Sequence, residues 1–190
     1  MIRKLLPALL CAVLATGAAA ATLEGVTLRD TYPLDGQTLV LNGIGLRTFS
    51  FLHIRVYVAG LYLVGRNHDA RAILDSADPK VIVMVFLHGA SKDRITQQYH
   101  EGEQHNCGQG ECDAADEADF ERLVAATPGV EPGDSFTYVI TNAGLRLYVN
   151  ARQVADIPNR DLGRRMLAGF IGDHPPTPEL RRGLLGLPAG

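Results

Sequence analysis

The chain has 190 residues, of which 18 are basic and 21 acidic, so its formal net charge is −3. This length suits one domain with a sizeable hydrophobic core. There is no run of basic residues of the kind that nucleic acid requires, and beyond the first 21 residues no apolar stretch reaches membrane-spanning length.

The first 21 residues have the layout of a secretory signal peptide. Arg3 and Lys4 precede an apolar stretch that is too short to span a bilayer stably, and the small residues Ala18–Ala21 follow it. We therefore expect cleavage near the end of this alanine run, which leaves a domain over residues 22–190. Loss of the two basic residues changes the net charge from −3 to −5. The expected location is periplasmic or secreted, with no stable membrane anchor after cleavage.

The first half of the domain is rich in β-prone segments. Residues 46–65 form the longest, and their alternation places Ile54, Val56 and Val58 on one face and Arg55, Tyr57 and Ala59 on the other. The nearly all-apolar run at 80–87 is typical of a central strand that is covered on both faces. The remaining predictions in this half are strands at 22–28 and 38–43 and a short helix at 69–77.

Helices dominate the second half, around a single hairpin. Ser91 and Thr177 are suitable N-caps, and the second of these is followed by a proline at the first helical position. Gly144 is the hairpin residue expected to have a positive φ. The predicted helices lie at 91–106, 114–126, 160–171 and 177–187, with Leu180, Leu184 and Leu187 on one side of the last, and the hairpin spans 134–150.

This order of elements predicts an α+β fold rather than a doubly wound sheet. We expect a mostly antiparallel sheet with helices on one face.

Two cysteines follow the signal segment, Cys107 and Cys112, in the sequence CGQGEC. In an exported protein this spacing favours a small disulfide-closed loop. Free thiols and a soft metal site that includes His100 and His105 are the two alternatives, although the spacing matches no standard zinc pattern.

Four residues are candidates for a ligand site. Arg47 opens an apolar, aromatic strand, where a permanent cation needs an anionic or acceptor partner, either from a ligand or from the protein itself. Tyr99 and Asn106 project from the same face of a helix, and Gly102 opens space between them. No nucleotide-binding, serine-hydrolase or metalloprotease motif is present, so we expect neither a cofactor nor a catalytic metal.

Three segments carry a resemblance to the chalcone isomerase family. They are NGIGLRTFSFLHIRVYVAGLYL, TQQYHEGEQHNC and GFIGDHPPTPELRRGLLGL, and the similarity covers most of residues 38–187. The resemblance implies an open-faced β-sandwich, in which a large antiparallel sheet lies under a layer of helices with a ligand cleft between them. The short chain and its signal segment indicate the bacterial chalcone isomerase-like branch.

In the enzymes of this family, a 2′-hydroxychalcone closes to a flavanone. An arginine steadies the phenolate, while a tyrosine and a threonine organise a water. The resemblance places Arg47 at the arginine, Tyr99 at the tyrosine and Asn106 at the asparagine of the family pattern. Non-catalytic relatives hold fatty acids, whose carboxylate is bound by the arginine and a tyrosine.

The chain departs from the enzyme pattern at several positions. The threonine falls at Tyr57 and the active-site lysine falls at Gly102, while a further ligand-contacting position falls at Gly169, next to Phe170. Loss of the lysine removes a charge that would act on the reacting oxygen, which argues against efficient cyclisation.

Three functional hypotheses follow. The first is an exported protein that binds a small amphipathic anion, a fatty acid or a phenolic compound, through Arg47, Tyr57, Tyr99, Gly102, Asn106, Gly169 and Phe170. The second is an intramolecular lyase that cyclises chalcone-like enones with Arg47, Tyr57, Tyr99 and Asn106 as its catalytic residues. The third is an envelope protein that binds a partner and no small ligand. The sequence leaves the oligomeric state open.

Overall fold

The computed structural model describes residues 20–50, 52–107 and 112–188. The predicted signal segment up to residue 19 lies outside the described residues. Within these ranges the chain forms a two-stranded sheet, a seven-stranded sheet and five helices. None of the helices found in the described ranges is long and apolar enough to cross a membrane.

The strands, in chain order, are β1 Ala20–Leu23, β2 Val26–Arg29, β3 Thr31–Leu34, β4 Gln37–Phe49, β5 Ile54–Leu63, β6 Lys80–Phe86, β7 Ser135–Thr141, β8 Gly144–Val149 and β9 Arg152–Ile157. The helices are α1 Ala70–Asp75, α2 Lys92–Asn106, α3 Ala114–Ala126, α4 Arg160–Ile171 and α5 Pro178–Leu184.

The seven strands β3 to β9 lie side by side in chain order, and every neighbouring pair is antiparallel. β6 is therefore the central strand, as its continuous apolar sequence predicts. The short hairpin β1–β2 forms a separate sheet. The expected antiparallel sheet with helices is confirmed.

The two faces of the large sheet are covered differently. One face packs under the helices, in a core that includes Leu61, Ile82, Leu123, Leu162 and Leu180, all fully buried. The opposite face is covered in part by the β1–β2 hairpin through its Leu28 side chain. Burial of apolar side chains on both faces is the main force holding these layers together.

The long strand predicted at 46–65 is two strands. β4 ends at Phe49 and β5 begins at Ile54, with a turn at Ser50 and His53, whose φ angles are 61° and 51°. His53 N–H donates to the Ser50 carbonyl oxygen at 3.1 Å, which closes this turn. The turn contains neither glycine nor proline, so the sequence lacks the usual turn signal.

A β-bulge also overturns the predicted alternation in this segment. The register shifts between the pairs Arg47↔Tyr57 and Thr48↔Arg55, so Val56 is an extra residue in β5. Val56 consequently packs against the same core as Tyr57, although strict alternation predicted opposite faces. Bulges re-aim side chains in this way, and this one lies beside the cavity described below.

Strands β3 and β9 were not predicted, and the last helix is shorter than expected. α5 ends at Leu184, and Leu187 lies beyond it with 38% of its surface exposed, so its predicted inward position is wrong. The expected caps are present, because the side chains of Ser91 and Thr177 accept hydrogen bonds from the first turns of α2 and α5.

Glycines in β4 bring helix α5 directly onto the sheet backbone. A Cβ atom at Gly43 would lie 2.1 Å from the Gly183 carbonyl oxygen, and one at Gly45 would lie 2.6 Å from that of Leu180. The Gly-x-Gly sequence of this strand therefore serves helix packing rather than phosphate binding. Asn42 lies at a second β-bulge, and its side-chain amide donates to the Leu184 carbonyl oxygen at 2.9 Å, which holds the same helix against the sheet.

We predict that Gly43→Ala destabilises the protein by about 3 kcal/mol or more, because the added methyl group meets backbone that cannot rotate away. Urea unfolding followed by circular dichroism measures the change. Gly65→Ala is the matched control, since no atom lies within 4 Å of a Cβ there. Equal stability of the two variants would contradict the close-packing argument.

Candidate functional site

A cavity of about 540 Å³ lies between the helix-covered face of the sheet and helices α2, α3 and α4. This volume is within the usual range for small-molecule sites. Most of its surface is apolar. The apolar lining residues include Phe49, Ile54, Val56, Met84, Phe86, Ile95, Phe120, Phe136, Met166 and Phe170.

Most of the sequence-predicted site residues line this one cavity. They are Arg47, Tyr57, Tyr99, Gly102, Gly169 and Phe170. Asn106 is the last residue of α2, and its side chain lies outside the described part of the structure. The structure therefore brings together six of the seven positions, from two strands and two helices.

Arg47 is positioned by its cross-strand neighbour. It pairs with Tyr57 in the β4–β5 register, and its guanidinium carbon lies 5.7 Å from the centroid of the Tyr57 ring. Its Nη2 donates to Oε1 of Gln98 on α2, and its buried Nε has no hydrogen-bond partner among the described residues. Arg47 as a whole is half-buried, and its buried, unused Nε donor calls for an acceptor at this point in the cavity.

Two glutamines position the cations of the cavity without neutralising them. Gln98, which accepts from Arg47, donates to Oε2 of Glu101 at 2.5 Å. Gln97 accepts from Arg94 at 3.0 Å and donates to Oε1 of the same Glu101 at 2.8 Å. Within the described ranges neither arginine forms an ion pair with a carboxylate of its own. Both guanidinium charges therefore remain available to an anion.

Three phenols line the cavity, Tyr57 and Tyr138 from the sheet and Tyr99 from α2. The hydroxyls of Tyr99 and Tyr138 share a hydrogen bond, and the Tyr99 oxygen lies 3.4 Å from Oγ1 of Thr127. Burial raises the pKa of Tyr57, Tyr99 and Tyr138, and only at Tyr57 does the charge of Arg47 act in the opposite direction. All three phenols are therefore neutral at physiological pH and can donate O–H hydrogen bonds.

A third arginine reaches the cavity from α4. Arg165 lies 3.5 Å from Oε1 of Glu103 and 3.2 Å from Oδ1 of Asp116, so its charge is compensated by the protein, unlike that of Arg47. Burial raises the pKa of Glu103, and the charge of Arg165 opposes that effect. Arg165 and Tyr138 were not predicted, because only the packing of α4 and β7 against the cavity reveals them.

Gly102 faces the cavity where the family lysine was expected to fall. A Cβ built there would meet no atom within 4 Å, which agrees with the open space predicted for this position. The described lining of the cavity contains no lysine.

Cys107 and Cys112 form a disulfide directly after α2, with their Cα atoms 5.3 Å apart. The histidines of the metal alternative contact other groups. His100 lies 3.7 Å from a carboxylate oxygen of α3, and His105 stacks on His174 with ring centroids 5.0 Å apart. The disulfide closes the end of the helix that carries the cavity wall.

This arrangement defines a class of protein: an α+β fold whose antiparallel sheet and helices enclose an apolar cavity with a cation inside it. A model of the chalcone isomerase-like family matches residues 20–186. The chain therefore belongs to the chalcone isomerase-like family. No curated protein matches the chain.

Among solved structures, the chain is similar to a fatty-acid binding protein of Arabidopsis thaliana. The TM-score is 0.72, and the alignment covers 88% of this chain and 96% of that one. The two sequences are 14% identical, so the likeness shows a shared fold.

We predict that Gly102→Leu stabilises the protein while it blocks the cavity. Leucine favours the helix over glycine by roughly 0.5–1 kcal/mol, and its side chain would fill the open space beside Tyr99. Thermal unfolding should show a higher midpoint, while binding of an apolar fluorescent probe to the cavity should fall at least about tenfold. A stabilised variant that still binds normally would show that ligand does not occupy this part of the cavity.

Proposed function

We propose that this protein binds a small amphipathic anion, with a fatty acid as the best fit, in the cavity between sheet and helices. The single observation that carries the proposal is Arg47, a half-buried cation whose Nε has no hydrogen-bond partner among the described residues and whose contacts, the Gln98 carboxamide and the Tyr57 phenol, are neutral. A carboxylate can accept from a guanidinium through both of its oxygens, which makes this pair among the strongest in proteins.

The surroundings of Arg47 support the same ligand class. An apolar lining suits an acyl chain or an aromatic ring. The neutral phenols of Tyr57 and Tyr99 can donate O–H hydrogen bonds to the same anionic head group that Arg47 binds. Arg94 adds positive charge on the same helix face as Gln98. The fold shared with a plant fatty-acid binding protein supports the proposal further.

We also propose that the protein is an exported, periplasmic or secreted member of the bacterial branch of its family. The signal-like layout of residues 1–21 supports export. The disulfide between Cys107 and Cys112 supports an oxidising compartment. Comparing the intact mass of the secreted protein with that of the full chain tests the cleavage near Ala20 or Ala21.

An isomerase acting on chalcone-like enones is the second candidate, and the observation that favours it is the convergence of Arg47, Tyr57 and Tyr99 on one cavity. The absence of a lysine at Gly102 favours binding over catalysis. Loss of the enone absorbance of naringenin chalcone measures the activity. A rate above that of Arg47→Ala would establish the enzyme, and a rate equal to it would remove this candidate.

We predict that Arg47→Gln weakens fatty-acid binding about 30-fold, since a hydrogen bond to a charged group contributes about 2 kcal/mol. Titration with a fluorescent fatty acid measures the change. Arg152→Gln is the matched control, because this exposed arginine on β9 makes the same change of charge away from the cavity. If both variants bound equally well, the proposed anion site would be wrong. That result would favour the hypothesis of a partner-binding protein without small ligand.

A nearly isosteric change tests the role of the glutamine. Gln98→Glu should place a carboxylate against Arg47, compensate its charge and weaken fatty-acid binding about tenfold. Gln104→Glu adds the same charge to an exposed position of α2 and should bind like the natural protein. Tighter binding or no change in Gln98→Glu would contradict the proposal that the uncompensated charge attracts the ligand.

A further inference from the structure

We propose that the tip of the β4–β5 hairpin docks onto an anionic lipid bilayer and lets the acyl ligand pass between the bilayer and the cavity. The hairpin tip is defined here by Phe49, Leu52 and Ile54. Docking to the bilayer is independent of the proposed function. Only the identity of the transferred ligand, a fatty acid, rests on the proposed function.

The hairpin tip gathers apolar side chains that the fold leaves in solvent. Phe49 is 42% exposed, Leu52 66% and Ile54 37%. They are three of the five large hydrophobic residues that are exposed within the described ranges. The other two, Val64 and Leu187, lie at the far end of β5 and after α5. A cluster of this kind marks an interaction surface, whereas isolated exposed residues do not.

The backbone of the turn keeps Leu52 outside. Leu52 N–H donates to Oγ of Ser50 at 3.2 Å, and His53 N–H donates to the Ser50 carbonyl oxygen at 3.1 Å. The positive φ angles of Ser50 and His53 complete this turn, in a region that residues other than glycine adopt rarely. Leu52, the most exposed of the five large hydrophobic residues, therefore lies at the apex of a hydrogen-bonded turn.

The hairpin tip is continuous with the cavity. Phe49 and Ile54 form the last pair of the β4–β5 register, and both line the cavity that holds Arg47. Leu52 does not line it. An acyl chain that moves along Phe49 and Ile54 would stay in contact with apolar surface between the cavity and the outside.

The charge around the hairpin tip favours an anionic surface. Residues 46–58, on both sides of the tip, contain Arg47 and Arg55 and no aspartate or glutamate. The guanidinium of Arg94 lies over the Phe49 ring, 5.0 Å from its centroid. The acidic group in contact with Arg55 is Glu24, with which it forms an ion pair. Apolar side chains beside guanidinium groups are typical of proteins that bind the interface of anionic lipids.

A tryptophan at the apex reports insertion directly, because the natural chain has none. Vesicles of phosphatidylcholine with phosphatidylglycerol are added to the Leu52→Trp variant without fatty acid, after its N-terminus has been determined by mass spectrometry. We expect its emission to shift to shorter wavelength and to become protected from a water-soluble quencher. Val64→Trp is the control and should not change. No shift in Leu52→Trp, or an equal shift in both variants, would overturn the proposal.

Co-sedimentation with the same vesicles gives the affinity. Leu52→Asp should bind about tenfold more weakly than the natural protein, and Val64→Asp should bind normally. Both should retain natural affinity for a fluorescent fatty acid, so failure of docking is distinguishable from failure of ligand binding. Equal binding to phosphatidylcholine alone would overturn the anionic partner. A change of oligomeric state in Leu52→Asp without loss of vesicle binding would instead assign the hairpin tip to self-association.

Discussion

The site depends on a cation that the protein holds inside an apolar cavity without an anion of its own. Arg47 is stacked near the Tyr57 ring and hydrogen bonded to Gln98, and both partners are neutral. Taking a charge out of water costs several kcal/mol unless it is compensated. Arg165, in the same cavity, shows the compensated alternative, since Glu103 and Asp116 flank it. An anionic ligand would supply for Arg47 what two carboxylates supply for Arg165.

Several features of the fold position this cation and the cavity around it. The β4–β5 bulge aligns Arg47 with Tyr57 and aims Val56 into the same cavity. The glycines of β4 hold α5 against the sheet backbone at one end of the strand, while its other end remains open at the hairpin tip. Gln97 and Gln98 connect two guanidinium groups to the single exposed carboxylate of Glu101. The pair of glutamines thus fixes geometry and leaves the charge intact.

Among the cavity-lining positions, Tyr57, Gly169 and Phe170 were indicated by the family resemblance alone. Sequence patterns predicted the α+β class, the central strand β6 and the caps of α2 and α5. They did so because periodicity and capping are local signals. The division between β4 and β5 was missed, since the turn at Ser50 and His53 uses positive φ angles without glycine. Arg165 and Tyr138 were missed for another reason. They are distant in sequence from the helix that carries Tyr99, and only tertiary packing brings them to it. The charge of Arg165 is compensated by carboxylates and the charge of Arg47 is not. This difference likewise depends on contacts between separate elements.

The most direct test observes the charge on the ligand itself. A fatty acid labelled with ¹³C at its carboxyl carbon, bound to the protein, is titrated by NMR while the carboxyl shift is followed. Because an adjacent guanidinium favours the ionised form, the account predicts that the bound carboxyl remains ionised to lower pH than the same carboxyl bound to Arg47→Gln. A bound carboxyl that titrates identically in both proteins, or that is protonated throughout, would contradict the account.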